Sequence, residues 1–265
     1  MAYTTIKKPS DYFNTKLYTG NGSTQSVTGV GFQPDMTWVK SRTTGGSGNN
    51  NHCINDVVRA KGTYGYPMIH PNLTASEYDP ASGNEVITDF QSDGFDLGGS
   101  ENSNYNSATY ASWNWLGANG TTANTDGSIS STVSANTTSG FSIVSYTGTG
   151  ANATVGHGLG ANMDFAIFKL RSGANSWLVY HKSLGATKAI YLNETGAVGT
   201  NSSGFNNTEP TSSVFSLGSG AAANTSSGTN IAYCFAEKQG YSKFGSYTGN
   251  GNVDGTFVYT GFKPA

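Results

Sequence analysis

Three kinds of side chain in this sequence have types and spacings that suit chemistry: tyrosine–asparagine pairs, lysine–arginine pairs and a run of carboxylates. Tyr18 with Asn21, Tyr146 with Asn152 and Tyr247 with Asn250 each sit beside glycines. An exposed tyrosine ring there would stack on a pyranose face while the asparagine amide bonded the sugar hydroxyls. The same positions also suit a fold-defining turn, with the tyrosine in the core and glycine supplying positive φ. A turn of that kind must recur in every copy of a module, as these residues do. Lys40 and Arg42, and again Lys169 and Arg171, are spaced two apart. In a strand that spacing puts both cations on one face, where they would meet an acidic glycan or a neighbouring subunit. The alternative is a solvated face on which they pair with Asp35 and Asp164, which also repeat.

The carboxylates gather in the first half, at Glu77, Asp79, Glu85, Asp89, Asp93 and Asp96. Glycoside hydrolysis needs two carboxylates flanking the bond, about 5–10 Å apart depending on mechanism. Asp93-Gly94-Phe95-Asp96 reads instead as a turn entering a strand, and the second half offers only Asp164, Glu194, Glu209 and Glu237. An acidic run that does not repeat argues against catalysis, and no catalytic residue is assigned. His52, His70, His157 and His181 have no metal-ligand spacing. Cys53 and Cys234 are expected as buried free thiols behaving as small hydrophobes. Asn124-Thr125-Asp126-Gly127-Ser128 has the look of a calcium loop but lacks the bidentate glutamate. Calcium held between loops is therefore the one cofactor left open, and no other is expected.

These residues recur because the sequence copies itself. Tyr18-Thr19-Gly20-Asn21-Gly22 returns as Tyr146-Thr147-Gly148-Thr149-Gly150 and as Tyr247-Thr248-Gly249-Asn250-Gly251. Spacings of 128 and 101 residues exceed the periods of solenoids and propellers and point to whole modules in tandem. Phe95-Asp96-Leu97-Gly98 matches Phe215-Ser216-Leu217-Gly218. Aligning Ala111-Ser112-Trp113-Asn114-Trp115 with Ala232-Tyr233-Cys234-Phe235-Ala236 puts the bulky side chains on opposite parity in the two copies. Either both faces of that strand are covered, or the two cores pack differently.

Only 11% of the 265 residues are charged and 36 are glycine, yet 13 Phe, 15 Tyr and 4 Trp spread along the chain supply two compact cores. Apolar runs are short and alternating, bounded by Gly, Asn, Asp and Pro, as at 36–42, 141–146, 165–171 and 231–236. Helical periodicity is almost absent. The expected fold class is all-β: two tandem antiparallel β-sandwich modules of jelly-roll type plus the start of a third. The modules span 1–117 and 141–240, joined by 118–140 as a linker or exposed strand, with glycine-rich turns such as Thr43–Asn51 inside them. Residues 241–265 are expected to open the third module, to pair onto the second or to contact a neighbour. A net charge of −2 gives no footprint for nucleic acid. No run approaches the ~18 apolar residues of a membrane span, and the first eight residues lack the apolar stretch of a signal peptide.

Leu17-Tyr18-Thr19-Gly20-Asn21-Gly22, Gly158-Leu159-Gly160-Ala161, Trp177 to Leu184, and Ala232-Tyr233-Cys234-Phe235-Ala236-Glu237 resemble a repeat module of tailed bacteriophages, chiefly those of marine bacteria. Lys8-Pro9-Ser10-Asp11-Tyr12-Phe13-Asn14-Thr15-Lys16 also looks like the start of such proteins, so the resemblance covers essentially the whole chain. It implies a lectin-like sandwich and a virion or tail structural protein, made in the host cytoplasm. The expected partners are other virion proteins, further copies on a symmetric particle and host-surface glycans. A tail or tail-fibre role in assembly and adhesion comes first, and a capsid-surface decoration protein is the alternative. A host-polysaccharide depolymerase is the enzymatic rival. Lectin-like hydrolases of similar fold use a tight Glu-x-Asp-x-x-Glu cluster, which this sequence lacks.

Overall fold

Alternation of apolar and polar residues between glycine-rich turns gives short strands, and in the computed structural model, which describes residues 4–43 and 51–264, they build an all-β fold. The first half contributes β1 (Phe13–Thr19), β2 (Gln25–Thr28), β3 (Met36–Ser41), β4 (Cys53–Asp56), β5 (Ile87–Gln91), β6 (Gly94–Leu97) and β7 (Thr109–Trp115). Next come β8 (Thr122–Asn124), β9 (Ser131–Asn136), β10 (Phe141–Thr147), β11 (Ala153–Gly156), β12 (Phe165–Leu170), β13 (Leu178–His181) and β14 (Lys188–Tyr191). The last three are β15 (Gly199–Thr200), β16 (Val214–Leu217) and β17 (Thr229–Phe235). Single-turn helices α1 (Glu101–Asn104), α2 (Ser202–Phe205) and α3 (Ala221–Asn224) punctuate them. Most of the Thr43–Asn51 turn expected from sequence lies outside the described residues.

Four antiparallel sheets result, in the orders β1-β7-β3-β4, β2-β6-β5, β15-β14-β13-β12-β17-β10-β9-β8 and β11-β16. The two halves pair their strands in one order: β1-β7-β3-β4 is followed by β10-β17-β12-β13, and β2-β6 by β11-β16. Three of the buried clusters among the described residues hold the layers together, and a smaller fourth gathers Val39, Ala108 and Tyr110. Val27, Ile87, Phe95 and Leu97 pack with Cys53 inside the first half. Val144, Ala166, Phe168, Phe215 and Leu217 do so inside the second. The third cluster joins Met36, Ile54 and Ile69 to Ile143, Ile167, Trp177, Ile231 and Tyr233, so the two large sheets meet face to face. Both cysteines are buried and free.

Strand register corrects the sequence alignment by one residue. Trp115 pairs with Phe13 as Phe235 pairs with Phe141, and Trp113 stands where Tyr233 does. The bulky residues therefore share parity, and all four face the opposite half. The apparent change of face came from aligning on alanine rather than on the ladder. Both faces of β17 are covered, with Ile231 through Cys234 buried.

Residues 118–140 are more than a linker. They supply β8 and β9, which extend the large second sheet beyond β10, and Val133 enters its core. The third opening takes a different course from the first two. Among described residues 241–264 no strand forms, although Tyr241 packs on Tyr12 and Phe244 stacks on Phe165. In the two formed copies the opening strand is held by the closing strand of its own half, β7 or β17. Those closing strands already have neighbours on both sides.

Candidate ligand-binding site

The recurring tyrosine–glycine turn is held by backbone contacts. Tyr18 donates its hydroxyl to the Ser103 carbonyl at 2.8 Å, and Tyr146 to the Ala223 carbonyl at 2.7 Å. A Cβ at Gly20 or Gly148 would run into the carbonyl of Tyr105 or Thr225, which explains the invariant third position of the motif. The turn is clamped by two fully buried asparagines that sequence reading missed. Asn104 accepts from Asn21 N at 2.9 Å and donates to Gly98 O at 2.9 Å, as well as to Ser23 O. Asn224 accepts from Thr149 N at 2.8 Å and donates to the carbonyls of Ala151 and Gly218, both at 2.7 Å. Their signal was present in the equal spacing of Gly98 to Asn104 and Gly218 to Asn224. Tyr18 and Tyr146 thus serve the core. Asn21 spends its amide on Thr24 O, Asn152 is exposed, and Asn250 donates to Asp254 O beside an exposed Tyr247.

The two lysine–arginine pairs occupy one register but have different surroundings. Lys40 lies opposite Ala111 and Lys169 opposite Ile231. Lys169 and Arg171 are covered by a loop of the first half. Lys169 Nζ donates to Thr74 O at 3.1 Å and Asn175 O at 2.8 Å, and burial pulls its pKa down to about 8. Arg171 grips Glu77 with two bonds of 2.8 Å. Glu77 also accepts from Arg59, which is bonded to Asp56 at 2.7 Å, and Asp56 accepts from the Tyr233 hydroxyl at 2.6 Å. Burial alone would raise the Glu77 pKa, but the two guanidinium groups outweigh it and hold the carboxyl below its ordinary value. Trp177 adds its indole N–H, shared between His70 O and Leu73 O at 3.0 Å each. This second pair is a latch between halves, set away from any outward-facing ligand surface.

Neither aspartate is the partner expected for these cations. Asp35 is buried and accepts from Gly117 N and Ser134 Oγ, while Asp164 accepts from Glu237 N. Each ties the entry of a central strand to the exit of its neighbour. Among the other acidic candidates, Asp89 pairs with Lys61, Asp96 accepts from Ser26 and Gln91, and Asp93 accepts the N–H groups of Gly29 and Gly31. In the suspected calcium loop, Asn124 and Asp126 bond each other. No group of three or more His, Cys, Asp or Glu among the described residues is placed to hold a metal.

The first pair borders the most ligand-like surface. Trp38, Trp113 and Trp115 stand on the β3 and β7 face that looks toward the second half, and all three are only half-buried. With His52 they line a hollow of about 260 Å³. Trp38 donates its indole N–H to His52 Nδ1 at 2.9 Å, and the rings of Trp38 and Trp113 meet edge to face at 6.4 Å. His52 immediately precedes β4, and its pKa is lowered first by burial and then by the charge of Lys40. Arg42 is exposed where β3 ends. Lys40 and Arg42, chosen from sequence, therefore flank three tryptophans whose common face became readable only from the register.

Fold and site together define an all-β protein of stacked antiparallel sheets with an open aromatic face. The chain belongs to the family described as Domain of unknown function (DUF7483), whose model matches residues 8–265. No curated protein and no solved structure matches the chain.

Proposed function

We propose that this chain is a non-enzymatic structural protein of a tailed-phage particle, a tail or tail-fibre component that assembles with other virion proteins and adheres to host-surface glycans. In this reading the two halves are tandem lectin-like sandwich modules, and the repeated strand order supports that ancestry. The observation that carries the adhesive role is the Trp38–Trp113–Trp115 face with Lys40, Arg42 and His52 around it. Large rigid rings lose little conformational entropy on binding and offer flat apolar area beside polar groups. That combination suits sugar rings, whose faces are apolar and whose edges carry hydroxyls. Two flanking cations favour an acidic glycan.

Titration of the chain with a sulfated or uronic-acid polysaccharide from the host surface, followed by tryptophan fluorescence, tests this directly. Saturable quenching is expected, weakening as salt screens Lys40 and Arg42. Trp113→Ala should weaken binding about tenfold while leaving the melting transition in place. Absence of saturable binding, or a Trp113→Ala variant that binds as the parent does, overturns the glycan site. Gold-labelled antibody on intact virions tests the location: label at the tail supports adhesion, and label spread over the head replaces it with capsid decoration.

A further inference from the structure

Loops of the second half enclose a hollow of about 240 Å³ that the tryptophan face does not include. Four of its lining side chains are polar. Asn175 comes from the turn between β12 and β13, Tyr191 ends β14, and Asn201 and Ser203 stand at the entry of α2. All four are at least partly exposed. The two amides are already fixed in orientation. Asn201 Oδ1 accepts from Gly204 N at 2.8 Å and from Ser203 Oγ at 3.1 Å. Asn175 Oδ1 accepts from Ser176 N at 2.9 Å, while its own N–H donates to Thr74 O at 2.9 Å and its carbonyl accepts from Lys169 Nζ at 2.8 Å. A carboxamide has one acceptor end and one donor end, and the protein here uses the acceptor ends. Asn175 Nδ2 makes no bond among the described residues, and Asn201 Nδ2 makes only a long one of 3.4 Å to the Tyr191 hydroxyl.

No Lys, Arg, His, Asp or Glu lines the hollow. An anion would sit there without a counter-charge, and an apolar molecule would strip water from the amide N–H groups and give nothing in return. A space below the ~300–1,000 Å³ of drug-sized sites admits one small ring. We propose that the hollow binds a single neutral pyranose, its hydroxyl oxygens accepting from Asn175 Nδ2 and Asn201 Nδ2 and its apolar face against Tyr191. A sugar hydroxyl also donates, and Ser203 Oγ, whose own proton goes to Asn201, is there to accept. The tyrosine supplies apolar ring area with a polar tip. The repeat sets this place apart from the fold-defining turns. β14 lies beyond the strand order that the halves share. Gly220 N donates to Ser203 O as Ser100 N donates to Glu85 O, so the first half has a carboxylate residue where the second has the hydroxyl. The hollow therefore belongs to one half only. It is independent of acidic-glycan binding at the tryptophan face, and either site can fail without the other.

The test titrates the isotope-labelled full chain with methyl glucoside, methyl galactoside and methyl mannoside and follows the side-chain amide signals by NMR. Saturable shifts of the Asn175 and Asn201 signals are expected with at least one of the three, while those of the buried Asn104 and Asn224 stay in place. Cyclohexanol, a ring with one hydroxyl, and glucuronate, which brings an unpaired charge, should each bind at least about fivefold more weakly than the best hexoside. Asn175→Ala should weaken that hexoside about fivefold, the worth of one neutral hydrogen bond; if that variant does not fold, the parent titration decides. Trp113→Ala should bind it as the parent does. Absence of saturable shifts with all three sugars, cyclohexanol or glucuronate as effective as the hexoside, or unaltered affinity in a folded Asn175→Ala each overturns the proposal. Loss of hexoside binding in Trp113→Ala overturns it too, by placing the sugar on the tryptophan face.

Discussion

A carboxamide offers two donors and an acceptor with two lone pairs, and in Asn224 both donors and the acceptor engage backbone around the Tyr146 turn. Removing such a group strands three backbone partners, of which the Gly218 carbonyl is buried and carries the full desolvation cost. Asn224→Ala is therefore expected to cost about 3 kcal/mol, read as a lower urea midpoint. Asn152→Ala, a change at an exposed residue of the next loop, should stay within about 0.5 kcal/mol. Equal effects at the two positions would show that the clamp does not hold the turn. The comparison also separates the structural asparagine from the one that sequence pattern had picked for sugar.

At the scale of elements, the loop carrying His70 to Glu77 joins the halves by lying across β12 and Trp177. Glu77 bridges Arg59 and Arg171 in that contact. Its folded pKa lies below the ordinary glutamate value of 4.5. The stability it contributes is fully present above that ordinary value and is lost as pH falls through the lower folded one. Unfolding midpoints should therefore drop in acid below about pH 4.5. Glu77→Gln should cost about 2 kcal/mol at neutral pH and flatten that acid dependence. A Gln variant with the parent's full acid dependence would assign the effect to other carboxylates.

The whole molecule is a stack of four sheets whose middle layers share one core, so its halves should unfold together. Phe244 marks the end of that body. Beyond it, Val253 is 101% exposed and Phe257 85% exposed. Truncation after Phe244 should shift stability by less than about 1 kcal/mol, whereas truncation before Tyr241 also removes the ring contacts to Tyr12, Phe165 and Phe235 and should lower the midpoint further. Differential scanning calorimetry checks both, and one transition is expected for the parent and for the shorter cut alike. Two separated transitions would contradict the shared core.

The sequence by itself determined the all-β class, the short strands, the two buried thiols and the repeated turn, because each depends on local pattern. Alternation fixes which residues can share a face, and a turn too crowded for a Cβ demands glycine wherever it recurs. Lys40 and Lys169 show where local pattern stops. They occupy the same register, yet one borders the tryptophan face and the other is buried under a loop from a distant part of the chain. The off-by-one alignment of Trp113 and Trp115 has the same origin, since a ladder is set by hydrogen bonds between strands far apart in sequence. Only the tertiary structure decided which face met the other half, which cation stayed near the surface and where the aromatic rings left a space. Those outcomes depend on two sheets packing against each other, and packing acts between residues that no local window contains.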